Sequence, residues 1–140
     1  SGKEPYYLGA QKCVIVSSKG LKLPNGLYIY YPELEWDTSE LKGKFVYKNR
    51  FGNISIWGGS VVENVVQALA RIVIGEQMVA ISHRYRPALT VHDAVVCIAP
   101  EEEKDEALKY IMEEMSKPPV WGQDCPITCE GGYGDNYGDC

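Results

Sequence analysis

Pro-Ala-Leu-Thr-Val-His-Asp-Ala-Val-Val-Cys-Ile-Ala-Pro, residues 87–100, is the stretch on which the reading of this chain turns. Two short runs rich in β-branched residues, bounded by prolines, predict paired strands. His92-Asp93, the polar pair between them, falls where a two-residue hairpin turn belongs. The pattern predicts a buried hairpin that carries an imidazole and a carboxylate together at its tip. Asp is also an ordinary turn residue, so the pair taken alone is compatible with a purely structural role.

Upstream lies the longest periodic segment, residues 60–84. Projected at 100° per residue, Ser60, Glu63, Asn64, Gln67 and Arg71 gather in one wedge. Val61, Val62, Val65, Val66, Ala68, Leu69, Ile72 and Val73 cover most of the remaining circumference. A helix apolar on nearly all sides is expected to be buried. Its polar stripe then needs a cleft, a water channel, a polar ligand or an internal polar network, because burying such groups unpaired costs a few kcal/mol each, roughly. Ser60 and Glu63 have capping-box spacing, Gly75 weakens the helix locally, and the basic end around His83 is stopped by Pro87.

Before this helix the chain reads as β structure. Residues 13–16 form a short β-branched run. Leu21 to Leu23 leads into Pro24-Asn25-Gly26, a hairpin signal, and residues 27–31 return with Tyr28 and Tyr30 on one face and Leu27, Ile29 and Tyr31 on the other. Residues 32–43 read as a loop anchored by Trp36, and residues 44–48 and 53–57 as two strands around Arg50-Phe51-Gly52-Asn53. Residues 1–12 carry no clear period and are expected to be loosely ordered. Ser1-Gly2, without an initiator Met, reads as an expression scar on a piece of something longer.

After the central hairpin, Pro100 and the acidic residues Glu101, Glu102, Glu103, Asp105 and Glu106 open a second helix, as the positive end of its dipole favours. Ala107, Leu108, Ile111, Met112 and Met115 form its apolar face. Pro118-Pro119 ends it, residues 127–130 can make one last strand, and 131–140 is a Gly/Asp/Tyr-rich tail. Its glycines do not lie between a strand and a helix, so it is a weak phosphate-loop signal. The expected fold class is α+β: a single domain over 1–140 with an antiparallel sheet packed by two main helices.

At 140 residues and 45% hydrophobic, the chain can bury a core without a covalent staple. Five cysteines are an odd number, and Cys97 sits within an apolar strand, which favours a reducing, cytoplasmic setting. Cys125 and Cys129 have a spacing that invites zinc, but no second Cys or His pair lies near them in sequence. No apolar run approaches membrane-span length. The net charge of -5 is unevenly distributed. Residues 1–100 have 11 Lys and Arg against 8 Asp and Glu, and residues 101–140 have 3 against 11, so the acidity belongs to the second helix and tail. A nucleic-acid surface elsewhere is compatible with that balance.

Four motifs in order resemble the family A DNA polymerases, in particular phage members. Val91-His92-Asp93-Ala94-Val95-Val96 is similar to motif C, usually Val-His-Asp-Glu followed by apolar residues. Gly58-Gly59 and the helix through Glu63-Asn64-Val65-Val66-Gln67-Ala68-Leu69-Ala70-Arg71 resemble the palm helix that precedes it. Leu23-Pro24-Asn25-Gly26 resembles a Leu-Pro-Ser-Gly-Arg strand pair, with Leu27 where Arg is usual. Gly134-Asp135-Asn136-Tyr137 resembles the Gly-x-Asn-aromatic ending.

The resemblance implies a partial polymerase palm. Asp93 would be one of two aspartates holding a Mg²⁺ pair, and His92 would lie against the primer-terminal phosphate. Gln67 would read the minor groove near the primer terminus, with Glu63, Asn64 and Arg71 as secondary DNA-binding candidates. The implied partners are primer-template DNA, dNTP and a missing N-terminal polymerase part; self-association and no membrane are expected. Two departures stand out. Ala94 replaces the usual Glu, and the first metal aspartate and the fingers motif, Arg-x-x-x-Lys with Tyr-Gly, are absent. A chain with one of two metal carboxylates is expected to hold Mg²⁺ weakly and to be inactive alone. The alternative is a non-catalytic nucleic-acid-binding or assembly module that retains the scaffold.

Overall fold

The computed structural model describes residues 5–39 and 41–140, so Ser1-Gly2 lies outside the described residues. Among the described residues the fold is α+β, with antiparallel sheets and two α-helices. Its backbone contacts divide into two compact units, residues 1–70 and 71–140, with the boundary inside the long helix.

The first unit holds two sheets. β1 (Tyr6–Leu8), β2 (Val14–Ser17), β3 (Gly20–Lys22) and β4 (Tyr28–Ile29) form an antiparallel meander in that order. Strand β1 thus forms where the sequence shows no period. The turn between β3 and β4 is the one that Pro24-Asn25-Gly26 predicts. Gly26 takes φ +85°, its N–H donates to the Leu23 carbonyl at 2.9 Å, and the Asn25 side chain accepts from Leu27 N–H at 3.1 Å.

β5 (Glu35–Asp37), β6 (Lys44–Asn49) and β7 (Gly52–Ile56) form the second sheet, with Arg50-Phe51 as the β6–β7 turn. Residues 35–37 are a strand and not the expected loop: Trp36 pairs opposite Phe45 and their rings meet edge to face at 4.7 Å. That cross-strand aromatic pair supplies the packing a polar segment lacks by itself. Among the described residues of this unit, Val14, Leu21, Leu23, Val46 and Ile56 are the buried apolar side chains.

Helix α1 (Gly58–Ser82) begins two residues before Ser60, so Ser60 is inside the helix and not its N-cap. The Trp57 carbonyl accepts from Val61 N–H at 3.2 Å. The helix continues through Gly75. The expected burial of α1 does not hold. Ile72, Gln77 and Ile81 are buried, but Val62, Val66 and Val79 are 62%, 59% and 61% exposed. Apolar circumference marks a helix that needs cover, and 140 residues do not supply that cover on every side. By length and composition α1 is also long and apolar enough to cross a membrane, contrary to the expectation from its interrupted apolar runs. Core helices pass the same measure, and Glu63, Asn64, Gln67 and Arg71 give α1 a polar stripe.

The second unit is built on a hairpin, β8 (Arg86–Val91) and β9 (Ala94–Ile98), and on α2 (Lys104–Met115), which follows a 3₁₀ turn at Glu101–Glu103. Its core is Ile81, Tyr85, Ala107 and Met115, against which Ile74, Val95, Cys97, Ala99, Tyr110, Ile111 and Cys129 pack. Pro87 does not stop α1; it lies in β8, opposite Cys97, next to a register irregularity before Leu89. A proline has no N–H for a ladder, so it belongs at such a position or at a sheet edge. Residues 127–130 form no strand. The tail instead folds against α2. A Cβ on Gly131 would meet Leu108 at 3.0 Å, and Tyr133 donates to Asp105 at 3.1 Å with Lys104 over its ring.

Candidate functional site

Strand register places the candidate carboxylate. Val91 pairs with Ala94, which leaves His92 and Asp93 as the two turn residues, as the sequence predicts. His92 takes φ +54°, the left-handed conformation a tight turn demands of a central residue. Both side chains are exposed at the tip, and the hairpin behind them, expected to be buried, has strand residues that are all half-buried or exposed. The hairpin has one packed face and one open face. Val95, Cys97 and Ala99 lie against the core, whereas Ile98 is exposed on the opposite side with Leu89 and Val91. Alternation along β9 thus fixes the turn firmly from one side.

The segment that joins α1 to the hairpin is tied to the 3₁₀ turn and to α2. Tyr85 is buried, and its hydroxyl donates to Glu103 at 3.0 Å. Arg84 pairs with Glu106 while its guanidinium lies 5.3 Å from the ring centres of both Tyr85 and Tyr110. Tyr110 donates to the Ala80 carbonyl at 3.1 Å. Burial, and after it the bond to Glu103, holds the Tyr85 phenol above its ordinary pKa. Burial likewise pushes the Cys97 thiol up. A protonated, core-facing thiol is a poor nucleophile, which fits Cys97 as a small hydrophobe.

The stripe on α1 is exposed, not enclosed. Gln67 donates to Glu63 at 3.1 Å, one helical turn away, and Asn64 donates to the Tyr31 hydroxyl at 2.9 Å. Arg71 is exposed at the first position beyond the unit boundary. Glu63, Asn64 and Gln67 are therefore neighbours within the first unit, and His92 and Asp93 belong to the second.

As a metal ligand set the described residues are incomplete. No group of three or more His, Cys, Asp and Glu side chains converges among them. Asp93 offers one accessible carboxylate, which fits a single ligand position of a hard cation that prefers oxygen donors. Cys125 is exposed and Cys129 half-buried, its thiol donating to the Glu130 carbonyl at 3.4 Å. In the first unit, an open cleft of about 440 Å³ is lined by Trp36, Thr38, Ser39, Leu41, Lys42 and Gly43. Beside it the Ser39 N–H donates to Asp37 at 2.8 Å and holds that carboxyl below its usual pKa.

Sequence pattern places the hairpin turn and the helix stripe, but it does not reveal Tyr85 as the anchor of the hairpin or the outward face of the first sheet. By pattern Tyr85 belongs to a frayed helix end. The sheet face has a visible signal in Tyr28 and Tyr30 on one side of a strand.

An α+β segment with a turn-borne carboxylate and an exposed polar helix stripe is what the fold and its surface define, and in sequence that segment is similar to part of a DNA polymerase. Over 125 residues the chain is 29% identical to the DNA polymerase of Bacillus phage SP02, a match that covers 84% of this chain and 19% of that relative. The similarity marks a DNA polymerase-related segment, and the chain spans about a fifth of that relative's length. No protein-family model matches the chain, and no solved structure matches it.

Proposed function

We propose that this chain is the C-terminal palm segment of a family A DNA polymerase of phage type, and that it supplies one half of a two-metal nucleotidyl-transfer site. The observation that carries the reading is similarity to a phage DNA polymerase over 84% of the chain. It is supported by a His-Asp pair at an exposed two-residue turn. Asp93 would hold Mg²⁺ with a second carboxylate contributed by another polypeptide or by a longer form of this one. Bound there, the metal pair would lower the pKa of a primer 3′-hydroxyl and stabilise charge on the transferring phosphate. His92 would contact the primer-terminal phosphate. Gln67 would reach minor-groove acceptors common to all base pairs, with Glu63, Asn64 and Arg71 beside it. The partners would be primer-template DNA, dNTP and the missing polymerase part, in the cytoplasm of a bacterial or phage-infected cell.

Ala94 favours a second reading, in which the scaffold binds nucleic acid or assembles without catalysis. A primer-extension assay separates the two. The chain alone is expected to be inactive, and mixing it with a polypeptide that carries the upstream motifs should restore Mg²⁺-dependent synthesis that Asp93→Ala abolishes. Synthesis by the isolated chain would overturn the half-site, and no synthesis under any pairing would favour the second reading.

A further inference from the structure

We propose that the outward face of the β1–β4 sheet is a stacking platform for unpaired single-stranded nucleic acid. Register sets Tyr7 opposite Ile15, Ile15 opposite Lys22, and Lys22 opposite Tyr28, so these four side chains cross the sheet in one row. Strands about 4.8 Å apart make that row roughly 14 Å long. Tyr30 extends it, its ring 5.6 Å from that of Tyr28 and inclined by only 21°. The opposite face carries the buried Val14, Leu21 and Leu23, with Tyr6 exposed on the edge strand, whereas Tyr7 and Tyr30 are 47% and 58% exposed and Ile15, Lys22 and Tyr28 are half-buried between them. Gly20 keeps the row open: a Cβ there would lie 2.5 Å from the Ile29 carbonyl oxygen and 3.5 Å from the Tyr30 ring.

Charge identifies the occupant. Residues 5–31 contain Lys12, Lys19 and Lys22 and no Asp or Glu, in a chain whose net charge is -5. Aromatic rings interleaved with lysine on an open sheet match the needs of a polyanion whose bases are free to stack. A duplex hides its base faces, so it offers this row of rings nothing to stack on. A second copy docked face to face would bring together two surfaces that each carry Lys22 and no carboxylate among residues 5–31, which disfavours self-association through this surface. The proposal stands on register and charge, independently of the reading of the hairpin, and its readout involves no synthesis.

The test is fluorescence anisotropy of the whole chain with a labelled oligo-dT of twelve nucleotides and with a blunt duplex of equal length, at 50 and 200 mM salt. The oligo-dT should bind more tightly than the duplex, and more weakly at the higher salt. Tyr28→Ala/Tyr30→Ala should weaken binding at least tenfold, and Tyr28→Phe/Tyr30→Phe should retain it. Lys22→Gln should flatten the salt dependence. Thermal melting establishes that each variant is folded. No binding to oligo-dT, preference for duplex, equal binding by the folded double alanine variant, or a dimer that this variant dissociates would each overturn the proposal.

Discussion

Gln77 donates from Nε2 to the Met115 carbonyl at 2.8 Å, tying the second half of α1 to the last turn of α2. The last carbonyls of a helix have no partner within it. Here a side chain from another helix takes that place, and a longer contact of 3.4 Å reaches Lys117. Gln77 is only 6% exposed. Gln77→Ala is expected to destabilise the second unit by about 1–3 kcal/mol, because a buried acceptor loses its donor. Gln77→Glu, which also buries a charge, should cost more. Urea denaturation followed by Trp121 fluorescence measures both; an alanine variant as stable as the parent would show the bond to be dispensable.

The turn at His92 allows a prediction of sign. With φ at +54°, a residue without a Cβ is at ease there and a β-branched residue is strained. His92→Val should lower stability by about 1–2 kcal/mol, whereas His92→Gly should leave it unchanged or slightly higher. Thermal melts of the two variants measured side by side check the order; the reverse order would contradict the turn geometry.

Alkaline pH should weaken the second unit. Tyr85 and Cys97 both have pKa values raised by burial, from 10.0 and 9.0. A group whose pKa is higher folded than unfolded stabilises the fold while protonated in both states and loses that contribution as pH rises through the folded value. Stability from these two groups should be intact below about pH 9 and decline above it. Denaturant midpoints at pH 8 and pH 10.5 test this. Cys97→Ala/Tyr85→Phe, although less stable at pH 8, should show a shallower alkaline decline.

Gly20 is expected to resist substitution. Its φ of +128° and the 2.5 Å approach of an added methyl to the Ile29 carbonyl combine backbone strain with a clash against main chain. Gly20→Ala should cost about 1–3 kcal/mol and loosen the β3–β4 pairing, detectable as faster amide exchange at Leu21 and Ile29. Unchanged exchange would show that the sheet accommodates the methyl.

Much of the local structure is legible because it rests on short-range chemistry. Asn25-Gly26 and His92-Asp93 announce turns through the backbone conformations they tolerate, and both turns form. The 3.6-residue period announces α1 and α2. Trp36 is harder to place, since its strand exists through an aromatic neighbour across the sheet. Tyr85 reads as part of a fraying helix end because nothing local shows that Glu103 accepts its hydroxyl eighteen residues later.

By itself the sequence determined the α+β class, the hairpin with His92 and Asp93 at its turn, and the wedge of Glu63, Asn64, Gln67 and Arg71. These depend on periodicity and turn preference, which act within a few residues. Only the tertiary structure decided which apolar surfaces are covered. Val95 and Cys97 pack against the cluster of Ile81, Tyr85, Ala107 and Met115, while Val62, Val66 and Val79 meet solvent. Burial is a property of partners, and a helix pattern states the need for them without saying whether the chain provides them.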